Sequence, residues 1–84
     1  MRLLLQQRPD GREAPRFVQL QLQPDLLGGW TLLRETGQIG GRSTLRKEIY
    51  ADQRSALEAL ESARDAQLKR GFQLVFAQGA DAPR

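Results

Sequence analysis

Cysteine and histidine are both missing from the 84-residue chain. Without cysteine there is no disulfide framework and no thiolate nucleophile or ligand, and the redox compartment is left open. Without histidine, a transition-metal site would have to be assembled from carboxylates alone, which suits neither zinc nor copper. Triads and dyads built on His or Cys are excluded as well. Long apolar runs are also lacking. Met1 to Gln7 offers a basic residue and three leucines, far too short for a signal-peptide core or a membrane span. The expectation is a cytosolic protein with no metal, cofactor or membrane association. The carboxylates Asp25, Glu35, Glu48 and Asp52 are scattered, with no pairing suited to acid–base work. With only carboxylates, arginines, Ser43 and Tyr50 to draw on, the chain reads as non-enzymatic.

What is present bounds the rest. The length suits one domain that buries roughly 60–65% of its unfolded surface. Thirteen basic residues stand against ten acidic ones, a net charge of +3. That excess permits contact with a polyanion and is equally ordinary for a small solvated domain.

Arg2 to Arg8 reads as a short first strand at a sheet edge, followed by the turn signal Pro9-Asp10-Gly11. From Arg16 to Gln23 the pattern alternates: Val18, Leu20 and Leu22 form an apolar face opposite Gln19, Gln21 and Gln23. Beyond the Pro24–Gly29 loop, Trp30 to Thr36 is the organising strand. Trp30, Leu32 and Arg34 lie on one side, and Thr31, Leu33 and Glu35 on the other. Gly37, Gly40 and Gly41 end it, as positions that call for a positive φ or a bulge. Thr44 to Tyr50 alternates again, giving a meander of antiparallel strands. The period then turns helical from Gln53 to Arg70, with Asp52 as N-cap, Leu57, Leu60, Ala63 or Arg64, and Leu68 as the apolar stripe, and Gly71 at C′. Phe72 to Phe76 is a last strand or a docked extended segment, and 77–84 reads as a flexible tail. The fold class is α+β: a small antiparallel sheet of about four strands, with one long C-terminal helix on one face and the domain spanning 1–76.

In this order the features resemble the WGR family, named for a Trp-Gly-Arg tripeptide after a strand. Thr36-Gly37-Gln38-Ile39-Gly40 occupies the motif, with Trp30 six residues before it. Arg16-Phe17 with the Gln-Leu alternation, Asp25-Leu26-Leu27-Gly28 and Lys69-Arg70-Gly71-Phe72 match further family features, so the likeness covers about residues 1–73. It implies the same small α+β fold. The family occurs alone in bacteria, in molybdate-regulator-like proteins, and beside the catalytic domain of DNA-dependent poly(ADP-ribose) polymerases, where it contacts DNA near a strand break. Here Thr36 and Gln38 stand in place of the motif Trp and Arg. Thr36 cannot stack on a sugar or base, and Gln38 cannot make a charge-assisted phosphate contact. Gly37, Ile39 and Gly40, which shape the turn, are kept.

The candidate nucleic-acid surface is therefore the strand–turn region: Arg34, Arg42, Arg46 and Lys47 as phosphate contacts, with Thr36 and Gln38 at the motif positions. The opposing expectation is a solvated sheet face with cross-strand pairs to Glu35 and Glu48. Trp30 reads as core or core-edge, and the Gly37–Gly41 run as a tight turn more than a phosphate cradle. Two functions follow: weak, sequence-independent DNA binding, or contact with a protein partner or a second copy through the sheet face or an edge strand.

Overall fold

The computed structural model describes residues 1–79. Its elements are β1 (Arg2–Gln6), β2 (Arg16–Pro24), β3 (Trp30–Gln38), β4 (Ser43–Tyr50), α1 (Gln53–Lys69) and β5 (Gln73–Gln78). They form one five-stranded antiparallel sheet, ordered β4-β3-β2-β1-β5, with the helix against one face. The α+β class is as expected, with one strand more.

The alternation in β2 sets the layers. Val18, Leu20 and Leu22 are buried and pair with Leu5, Leu3 and Leu32 respectively. Opposed residues of antiparallel strands share a face, so these form the covered face. Trp30, Arg34 and Thr36 of β3 and Arg46, Glu48 and Tyr50 of β4 follow on that side. Trp30 is half-buried against the core, the core-edge position expected. The uncovered face carries Gln19, Gln21 and Gln23, and beside them Leu33, Leu45, Lys47 and Ile49. Arg2 lies over the Phe76 ring, 5.2 Å from its centroid, on the same side.

Helix α1 begins where Asp52 Oδ1 accepts from the Ser55 amide at 2.8 Å. That bond, foremost among its contacts, holds the Asp52 carboxyl below its usual range. The helix ends at Arg70, and Gly71 follows with φ +93°, the left-handed conformation a C′ residue takes. The stripe it buries is Ala56, Leu60 and Ala63, with Leu57 half-buried, while Leu68 is exposed. The expected place of Leu68 in the stripe is thus corrected. Small side chains at 56 and 63 let the helix axis approach the leucine-rich sheet, and Phe72, just past the helix, fills the core at the end where Leu68 points away.

Three further expectations change. Strand β1 is not an edge: it lies between β2 and β5, with Leu3 and Leu5 fully buried, because the helix returns the chain across the sheet. Strand β5 runs to Gln78, two residues into the stretch read as tail; Gly79 follows it, and 80–84 lies outside the described residues. Gly37 has no positive φ and lies inside β3. A Cβ there would sit 2.5 Å from the Arg42 carbonyl oxygen and 2.8 Å from Ser43 Cα, so close backbone approach is what demands glycine. Gly40 alone in that run takes a positive φ, +76°.

Candidate nucleic-acid interface

The strand–turn residues do not converge on one patch. Arg34 and Arg46 are cross-strand partners on the covered face, and Lys47 opposes Leu33 on the other. Consecutive residues of a strand point to opposite sides, which separates Arg46 from Lys47. Arg34 is occupied: its Nη2 donates to Glu48 Oε1 at 3.1 Å, with both side chains about three-quarters shielded. Its Nε is buried without a hydrogen-bond partner among the described residues. Thr36 lies half-buried between Val18 and Thr44. Arg42 stands exposed in the β3–β4 turn, and Arg46 and Lys47 are exposed on β4. No carboxylate lies within 4.0 Å of these three cations among the described residues.

The cross-strand pairing expected for Glu48 is present. Glu35 instead accepts from Ser43 Oγ at 2.6 Å. The turn itself is internally bonded. The Gln38 amide donates to the Arg42 carbonyl, the Ile39 amide to the Pro15 carbonyl at 3.0 Å, and the Gly41 amide to the Gln38 carbonyl at 2.8 Å. These amides are not free to cradle a phosphate, and the turn is structural.

Gln38 belongs to a different neighbourhood. It pairs with Arg16 at the end of the sheet, and its Nε2 donates to the Ala14 carbonyl at 3.0 Å. Here the β1–β2 loop, the end of β3 and the end of α1 enclose a cleft of about 480 Å³. Three arginines line it: Arg8 from the loop, Arg16 from β2 and Arg70 from the helix terminus. Turning the Gln73 side-chain amide so that its oxygen faces Arg8 lets Arg8 Nε and Nη2 donate to it at 2.7 and 3.2 Å. None of the three arginines has a carboxylate within 4.0 Å among the described residues.

Asp10 and Glu13 also line the cleft. Asp10 Oδ1 accepts from the Arg12 amide at 2.9 Å and the Glu13 amide at 3.4 Å. Those amides, Arg12 first, hold its carboxyl below the usual range, so it stays ionised.

Sequence reasoning missed this cleft. Each arginine has an adequate local reading, at a strand end or in a helix's last turn. Their meeting depends on a register that pairs residue 16 with residue 38 and on a helix long enough to return to the same end. Alternation identifies the faces of a strand but does not set which residues oppose which.

Comparison with known protein families, with curated proteins and with solved structures finds no match to this chain.

Proposed function

We propose that the chain is a non-enzymatic, WGR-like binding module that takes up nucleic acid weakly through its phosphate backbone. The β3–β4 hairpin would contribute Arg42, Arg46 and Lys47. One observation carries the reading: these cations are exposed and have no carboxylate within ion-pair distance among the described residues. Arg34, by contrast, is already paired with Glu48 and is left out of the contact set. Arg46 and Lys47 lie on opposite faces of the edge strand with Arg42 in the turn beyond them, an arrangement suited to a phosphate backbone running along that edge. No side chain here reads base edges, so the binding would be largely independent of sequence.

Fluorescence-anisotropy titration with a short labelled duplex tests the reading. Three phosphate contacts give a log–log salt slope of about −3. Arg42→Gln together with Arg46→Gln should reduce it to about −1. An unchanged slope removes the hairpin from the interface, and no binding at about 50 mM salt, where the counterion term is strong, removes the function.

A second reading, self-association through the β4 edge, has its own support. Leu45 and Ile49 are 65% and 68% exposed on the uncovered face of that edge strand. Antiparallel pairing of two copies about a two-fold at Lys47 sets Leu45 opposite the partner's Ile49 and Arg46 opposite the partner's Glu48. The two copies of Lys47 then face each other between two Arg46–Glu48 pairs, so attraction and repulsion are screened together and this contact should respond to salt far less steeply than DNA binding. Sedimentation velocity across salt separates the two readings, and a strict monomer at high salt and high concentration excludes the second.

A further inference from the structure

We infer that two copies of this chain join by seating the tip of the β2–β3 loop of one, Leu26 and Leu27, in a hollow on the uncovered face of the other. Leu4, Val75 and Phe76 form the apolar walls of that hollow, and Arg2 stands at its rim. The contact uses neither the hairpin cations nor the β4 edge, so it is independent of both readings above.

The tip supplies the first half. Leu26 and Leu27 are 103% and 96% exposed, more than any other large apolar side chain among the described residues. Single exposed leucines are ordinary on a protein surface, but a neighbouring pair on one turn makes a patch that nothing in its own copy covers. The loop backbone beneath them is tied down. Asp25 Oδ1 accepts from the Leu27 amide at 2.8 Å and the Gly29 amide at 2.9 Å, and the Asp25 amide donates to the Gly29 carbonyl at 2.9 Å. A loop already held in one conformation loses less entropy when it docks.

A β-bulge supplies the second half. Leu4 opposes Phe76 and Leu5 opposes Leu74, so Val75 is one residue too many for the β1–β5 ladder. Bulges re-aim side chains, and here Val75 joins Phe76, Leu4, Gln19 and Arg2 around one hollow of about 310 Å³. That space has room for a pair of four-carbon side chains.

Charge completes the match. The Arg2 guanidinium lies over the Phe76 ring and has no carboxylate within 4.0 Å among the described residues, and Asp25 likewise has no cation within that distance. Asp25 Oδ1 serves the loop, while Oδ2 has no hydrogen-bond partner among the described residues. The tip therefore offers two leucines beside a carboxylate oxygen, and the hollow offers apolar walls beside a guanidinium. Such complementarity, present on one and the same chain, selects a second copy as the occupant. Because tip and hollow are different patches, two copies seated reciprocally close into a dimer, and copies seated head to tail form an open chain.

The test is amide-resolved NMR of the whole chain over a concentration series, joined to a mixing experiment. In the parent chain the amides of Leu26, Leu27, Leu4, Val75 and Phe76 should shift together as concentration rises to about 1 mM, where weak contacts become populated. Leu26→Ser combined with Leu27→Ser removes the tip, and Val75→Asp places a carboxylate in the hollow. Each should weaken association about tenfold or more, the order of effect that burial of a leucine side chain carries. Asp25→Asn keeps the oxygen that braces the loop and removes the charge, for a weakening of up to about fivefold.

Mixing decides the matter. Labelled tip variant has an intact hollow, and unlabelled Val75→Asp has an intact tip, so titrating one with the other should shift the Leu4, Val75 and Phe76 amides of the labelled copy. No shift there while the parent chain associates would overturn the proposal, as would tip and hollow amides in the parent that stay fixed at every concentration. Shifts at the tip alone would mean that leucine meets leucine, and also overturn it. Shifts confined to Ser43–Tyr50 would overturn it in favour of the β4 edge, whose residues these substitutions leave untouched.

Discussion

Gly37 shows how one absent methyl group sets the geometry of a whole turn. Its Cα faces the Arg42 carbonyl and the Ser43 backbone so closely that neither neighbour can retreat without breaking the β3–β4 ladder. Gly41, four residues on, would place a Cβ no closer than 3.4 Å to the Gln38 carbonyl oxygen, an ordinary contact. The two positions should therefore respond differently to the same substitution. Gly37→Ala is expected to destabilise by about 1–3 kcal/mol, as overpacking does, and Gly41→Ala to stay within about 0.5 kcal/mol of the parent. Urea midpoints of the two variants, taken at one temperature with m-values compared, check this. Equal midpoints would mean that the hairpin absorbs the extra methyl. The same comparison separates two meanings of glycine in a motif, room for a neighbouring backbone and freedom of φ; Gly40 is the position where the second applies.

At the scale of elements, α1 and the edge strands divide the work of stability and contact. The helix seals the sheet through Ala56, Leu60 and Ala63, so Leu60→Ala should cost about 2–5 kcal/mol, while Leu68→Ala, at an exposed position, should cost less than about 1 kcal/mol. Thermal or urea unfolding settles the ratio; similar losses would place Leu68 in the core after all. The helix, its Asp52 cap and the two faces of β2, β3 and β4 were legible in the sequence, because period and capping chemistry are local properties. Leu68 was misread because the apolar stripe alone does not say where the sheet beneath it stops. The place of β1 was misread because whether a strand is an edge depends on what arrives from the far end of the chain. The candidate site was legible only as a set of residue types. The sequence reading gathered Arg46 and Lys47 into one surface although strand neighbours point to opposite sides, and only the register revealed that Arg34 opposes Arg46 while Arg16 opposes Gln38.

For the molecule as a whole, the decisive pairing is that of β1 with β5, which brings Arg2 beside Gln78 and Leu3 beside Ala77. It converts a four-stranded meander with a leucine-bearing edge into a five-stranded layer with β1 inside it, and Phe72 enters the core on the way. A chain stopped at Gly71 would lose both and expose the β1 edge. We expect it to scatter light and to unfold without a cooperative transition, whereas a monomeric, cooperatively unfolding 1–71 chain would show that the meander and helix suffice. This is the contact of greatest sequence separation in the sheet, and such contacts form late because the intervening chain must first be ordered. On the ribosome, the consequence is one of timing. β5 follows every other described element out of the ribosome, so until it docks the nascent domain carries β1 as a leucine-bearing edge, its most adhesive form. The burden this small fold places on chaperones would fall in the interval before that last element, Gln73–Gln78, docks on β1.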